Sequence, residues 1–316
     1  MPTFEEEVIS GLERYYKIGD KALQKMEDVS LRVLENDYRI ALKKVKSDMA
    51  EMVEKYPTYD EMIAYKRLDK LSASIDDTIS KLIKDNGKKL NGFLQMGVAG
   101  GYNTELYTLE AGSYGNITFA SMNEQNVALN KMNPYQRLTW VDPLTENGAV
   151  TVKRLNSAIS QGLIEGAGYT KIATAMSVQM GYSYGRMETI ARTEIHKAQM
   201  FGRNLGFIET EKSDFSVSKV WITTGANDDR VRPNHLAMNE KKAKEFEGEY
   251  KFTFTTMNGS TIKVDGAGLT NTTDDINCRC SLITIFDDID ELTENAGYEP
   301  PSYDEWVDRN SKTTTK

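Results

Sequence analysis

Cysteine and histidine are almost absent from this sequence: two of each in 316 residues. Cys278 and Cys280 are too few for a disulfide-stapled extracellular scaffold. A Ser-His-Asp or Cys-His relay would have to use His196 or His235. The sequence also lacks a G-x-S-x-G elbow, an H-E-x-x-H pair, a P-loop and a G-x-G-x-x-G turn opening a helix after a strand. No run approaches the roughly 18 apolar residues of a membrane span. The opening "MPTFEEEVIS" is acidic and has no apolar core of the kind a signal peptide needs. A net charge of −8 argues against a general nucleic-acid binder and leaves a local basic face open. There is no internal repeat. These absences, with 39% hydrophobic and 27% charged residues, describe a soluble, helix-rich protein made in a reducing cytoplasm, with no membrane partner.

What is present begins with helical periodicity. Leu31, Leu34, Tyr38, Ala41, Val45, Met49 and Met52 recur at steps of three and four, forming one apolar stripe. "KYPTYDEM" interrupts it, since Pro57 cannot continue a helix and Thr58 or Asp60 can cap the next one. Leu68, Leu71, Ile75, Ile79 and Leu82 form a second stripe. Each stripe can be covered by the other, which is the main use expected, or by another chain; because two such helices make a thin hairpin, Leu34 and Val45 are also candidate partner-binding residues. "GVAGGYNTELYTLEAGSYGN" exchanges the charged periodic pattern for glycines and tyrosines and reads as an irregular bridge. "NKMNPYQRLTWVDPLTENG" reads as a second irregular stretch. Leu155, Ile159 and Leu163 then mark a helix, "EGAGYTKIATAMS" a turn into a short one, and "GYSYGRMETIARTEIHKAQMFGRNLGF" a longer one.

Beyond these the period changes to that of strands. "SKVWITTG", "KFTFTTMNGSTIKV" and "CRCSLITIF" are β-rich, with Asn258-Gly259 suited to a tight type I′ hairpin turn. The expected class is α+β: a long-helical N-terminal region, then a compact core of helices against a small antiparallel sheet. The expected division is a helical partner-binding region over 1–130, an α+β core over 131–286 and an acidic, aromatic tail over 287–316. Tyr303 and Trp306 make the tail a further candidate partner surface, or a segment that packs back on the core.

By count, His196, His235, Cys278 and Cys280 are a complete Cys2His2 set for zinc. Geometry works against it on a regular strand, where residues i and i+2 are about 6.5–7 Å apart. Sulfurs sharing one tetrahedral zinc lie only about 3.8 Å apart, so Asn277–Cys280 would have to be kinked. The alternative is two small buried thiols and two hydrogen-bonded histidines. In "DDRVRPNH", Asp228 or Asp229 can accept from Arg230 and Arg232. Arg192, Thr193 and Glu194 of "ARTEIH" are expected to join the same polar cluster, since such groups should satisfy one another when buried. "EFEGE" contains a Glu-x-Glu, a pattern also found in some ADP-ribosyl transferases.

"ARTE" on a helix, then "KVWITTGANDDRVRPNH", then "NCRC" before a closing strand, resembles the Mu protein F-like phage head morphogenesis family of minor head, or minor capsid, proteins. The resemblance spans about 150–286. It implies a structural, non-enzymatic component of the virion, low in copy, inside the head near the portal vertex, acting in head assembly and in DNA packaging or delivery. It implies the portal protein as partner, with the major capsid or scaffolding protein and DNA as further contacts. On this sequence the family motif falls on Asp228, Arg230, Arg232, His235, Cys278 and Cys280. Some relatives carry cysteines at the positions of Arg232 and His235, a four-cysteine set with N-C-R-C; this chain has Arg232 there, so a metal site here must recruit His196 or do without that ligand. The reading of a different class is a zinc-dependent hydrolase or an ADP-ribosyl-type transferase using a carboxylate such as Glu194 or Asp229 beside the His/Cys set.

Overall fold

The structure is a computed structural model that describes residues 4–56, 59–64, 66–124, 127, 140–223, 231–289, 292, 295 and 297–311. Five helices come first: α1 (Phe4–Lys55), α2 (Tyr59–Ala64), α3 (Arg67–Gly112), α4 (Val141–Ile164) and α5 (Tyr169–Thr210). Then follow β1 (Val217–Ile222), the single turn α6 (Pro233–Leu236), β2 (Lys244–Phe246), β3 (Glu249–Thr255), β4 (Thr261–Val264), β5 (Ser281–Phe286) and α7 (Tyr303–Ser311). The class is the expected α+β. The compact units are not consecutive in sequence, as a division at 130 and 286 would have them. One comprises 1–27, 93–137 and 193–316, and the other 28–92 and 138–192. The interleaving arises because α1, α3 and α5 each contribute to both.

The second unit is helical. The stripe of α1 is buried from Leu31 to Met52, with Leu34 and Val45 fully buried, and Leu71, Ile75, Ile79 and Leu82 of α3 are buried as well. The cover comes from the same chain. Asn147 of α4 donates to the Tyr38 hydroxyl at 3.2 Å and to the Ser183 carbonyl of α5 at 2.9 Å. Tyr184 of α5 meets Tyr38 edge to face, with ring centroids 5.6 Å apart. Leu34 and Val45 are therefore core residues and offer nothing to a partner. The apolar stripes of a two-helix hairpin became the interior of a bundle once α4 and the first half of α5 were added. The start of α4 also corrects the expectation of an irregular "VDPLTENG". Pro143 lies in its first turn, where a missing N–H breaks no helical hydrogen bond. Pro57 and Thr58, and the segment 128–139 before α4, lie outside the described residues.

The first unit holds the sheets. β1 and β5 pair antiparallel, Val217 opposite Phe286 through Ile222 opposite Ser281. β2, β3 and β4 form a three-stranded antiparallel sheet in that order. The stretch 97–112, expected as an irregular bridge, is the end of α3. Its glycines serve close approach rather than flexibility. A β-carbon on Gly101 would stand 2.0 Å from the Gln199 carbonyl oxygen of α5, and one on Gly202 would stand 2.1 Å from the Val98 oxygen. The backbones of α3 and α5 thus touch where these glycines face each other.

The hairpin turns also differ from expectation. The two-residue turn with both central residues at positive φ is Glu247-Gly248, between β2 and β3, at φ +53° and +81°. Asn258-Gly259 lies in a longer loop, where Gly259 alone is left-handed and donates to the Thr256 carbonyl. Finally, the tail packs back on the core. Trp306 of α7 is fully buried with Tyr107, Leu109, Phe207 and Phe286, and the Tyr107 hydroxyl donates to the Pro301 carbonyl at 3.0 Å. Trp306 is thereby removed from any partner surface, while Tyr303 is half-buried against Tyr107.

Candidate functional site

Three segments distant in sequence meet in the first unit. α5 supplies Thr193, Glu194 and His196; the approach to α6 supplies Arg232, Asn234 and His235; the turn before β5 supplies Asp274 through Cys280. The meeting is built from backbone contacts. The Asn277 N–H donates to Thr193 Oγ1 at 3.2 Å. Arg232 donates to the carbonyls of Asp274 at 3.0 Å and Ile276 at 2.6 Å. Asn234 ties Asp274 Oδ1, at 2.8 Å, to the Thr255 carbonyl at 3.1 Å. Asp275 accepts from Thr270 Oγ1 and from the N–H groups of Thr270 and Asn271, bracing the turn from within. Arg279, between the cysteines, reaches Glu27 at 3.2 Å.

The kink that a shared ligand set demands is present. Asn277 sits at φ +53°, and β5 begins only at Ser281, so Asn277–Cys280 is not a regular strand. Asn is among the few residues that take this conformation readily. His235 Nδ1 lies 3.4 Å from Cys280 Sγ and 3.5 Å from Cys278 Sγ. All three atoms fall within 4.8 Å of one another, and all three residues are buried. His196, 7% exposed, lies beside Cys278 but outside that tight trio, and its Nε2 has no hydrogen-bond partner among the described residues. The hydrogen bond between the thiols splits their acidity, holding Cys278 above and Cys280 below the ordinary thiol value. Aromatic rings close the site. His235 stands edge-on to Trp221 and Phe254, at centroid distances of 5.7 and 5.3 Å, and Trp221 stacks on Phe254.

Only part of the expected polar cluster falls within the described residues, and each member there has a partner close at hand. Arg192 pairs with Glu188 one turn earlier, at 2.9 Å. Burial pushes the Glu194 carboxyl up, and Lys197 at 3.3 Å opposes that. Arg232 serves backbone carbonyls instead of a carboxylate. Asp228, Asp229 and Arg230 lie outside the described residues. Glu245 and Glu247, the Glu-x-Glu pair, are exposed on β2 and its turn. Sequence reasoning missed Lys197, Asn234, Asp274 and Asp275. The run "NTTDD", rich in turn-forming Thr and Asp, was the available signal for the last two.

Residues 153–283 match the family model described as Phage Mu protein F like protein. This segment is similar to the Mu protein F-like family. The segment runs from within α4 to within β5 and contains every residue of the His/Cys site. The Minor head protein GP7 of Bacillus phage SPP1 is 28% identical over 273 residues, which is 85% of this chain and 86% of that protein. No solved structure matches the chain. Among the described residues, no helix is long and apolar enough to cross a membrane.

Proposed function

We propose that this Mu F-like chain is a minor head protein of a tailed phage, carried in the virion and bound at the portal vertex during head assembly. The similarity to the SPP1 minor head protein carries the reading, because it extends well beyond the family segment into the helical region, over 85% of the chain. The role is one of docking and assembly rather than catalysis. The face offered for docking is not the stripe of Leu34 and Val45. On the same helix, Val29, Val33 and Ile40 are 49%, 37% and 60% exposed. Their spacing of four and seven residues places them on one side of α1. Apolar side chains held at helical spacing in water gain by being covered, and a portal helix or groove is the proposed cover. The major capsid or scaffolding protein and DNA are the other head components to be tested.

The experiment is co-expression with the portal protein encoded by the same phage, followed by affinity purification of either partner. The wild-type chain should co-purify. Val33→Asp with Ile40→Asp should abolish co-purification while leaving the helical circular dichroism unchanged, since both positions are solvent-facing. Absence of portal from the wild-type complex and from assembled heads would refute portal docking. Undiminished binding by the double variant would refute this face.

A further inference from the structure

We propose that His235 Nδ1, Cys278 Sγ and Cys280 Sγ hold one zinc ion, with His196 as the fourth ligand, so that the coordination sphere is closed and the ion is structural. The inference stands independently of any role in a phage head, because it rests on the site alone.

The donor set fits the ion. Zinc takes thiolate and imidazole ligands tetrahedrally, at about 2.3 Å to sulfur and 2.0–2.1 Å to nitrogen, which puts a sulfur and a nitrogen about 3.5 Å apart. The two nitrogen–sulfur distances are 3.4 and 3.5 Å. The same distances would suit a plain hydrogen-bonded trio, so they do not decide the matter alone. His196 does more. Its Nε2 is buried and finds no partner among the described residues, although a buried polar nitrogen left so is costly. It flanks Cys278 just outside the trio, so a movement of its ring towards the other three donors would complete the sphere. The surroundings are also built to hold the ring there. Gly268, at φ +68°, brings its backbone against the His196 imidazole, and a β-carbon would stand 2.9 Å from it. The turn carrying the cysteines is pinned by Thr193, Arg232 and Asp275. Binding would release the two thiol protons to solvent and leave both histidines neutral, with no change of oxidation state.

Elemental analysis of the full chain, purified without chelator and after incubation with zinc, should give one equivalent, against none for the Cys278→Ser, Cys280→Ser double variant. Because that variant could fail to fold, the wild-type protein supplies a second measurement. Cobalt(II) substituted for zinc should show sulfur-to-metal charge transfer in the near ultraviolet and the intense visible bands of a tetrahedral site. Removing zinc with a strong chelator should lower the melting temperature, since the ion binds only the folded state. A wild-type chain that takes up no zinc and gives only the weak spectrum of aqueous cobalt would overturn the site. So would a Cys278–Cys280 disulfide found in the purified, metal-free protein. A His196→Ala protein with an unchanged cobalt spectrum would overturn the fourth ligand.

Discussion

Gly101 lies where two opposing effects can be weighed. It is a glycine inside the 46-residue helix α3. Alanine at such a position favours the helix by about 1 kcal/mol. Here the added methyl would stand 2.0 Å from the Gln199 oxygen, 2.8 Å from its carbonyl carbon and 3.0 Å from its Cα. All three atoms are backbone, so no rotamer change relieves the contact. α3 and α5 would have to separate, and overpacking of this kind costs roughly 1–3 kcal/mol or more. Separation would also open Gly202, Gly206 and Ala198, which share the seam. The clash should therefore win, and Gly101→Ala should lose about 2 kcal/mol or more in urea unfolding. Gly92, on the same helix, has nothing within 4 Å of an added β-carbon. Gly92→Ala should instead gain up to about 1 kcal/mol, from propensity and lost unfolded-state freedom. Urea midpoints followed by circular dichroism, with m-values compared, read both. A Gly101→Ala chain as stable as the parent would refute the backbone contact between α3 and α5.

Lys219 on β1 is 3% exposed, with its ammonium 5.1 Å from the Phe207 ring centroid and 2.7 Å from Asn204 Oδ1. Burial pulls its pKa down to about 8 from 10.5. The unfolded chain therefore holds this proton more tightly, and stability should rise with pH from about 8 towards 10, by roughly 2 kcal/mol. Lys219→Met should flatten that rise, and an unchanged slope would sink the assignment. Trp306→Ala removes a fully buried ring and should cost about 3–5 kcal/mol. It should also expose the C-terminal segment to limited proteolysis, and continued protease resistance would show that α7 is held by other contacts.

Local pattern alone was enough to show that the chain is mostly helical, that 31–52 and 68–82 each bury one face, and that β1 and β5 are strands. Periodicity reports the solvent-facing and core-facing sides of an element whatever lies opposite. It was also enough to single out His235, Cys278 and Cys280, because residues so scarce and so suited to one chemistry stand out by count. What lay opposite each element was decided in three dimensions. Glycine in "GVAGGYNTELYTLEAG" reads locally as a helix breaker. It is a helix residue here because the backbone of α5 fills the space a side chain would take. Leu34 and Val45 read as core of a hairpin or as a surface for a partner, and they are core, because α4 and α5, more than a hundred residues later, complete the bundle. The kink at Asn277 that draws two sulfurs and an imidazole together depends on Thr193 and Arg232, contacts 84 and 44 residues away in sequence. A one-dimensional pattern records which atoms are available, and only the closed chain records which of them are within bonding reach.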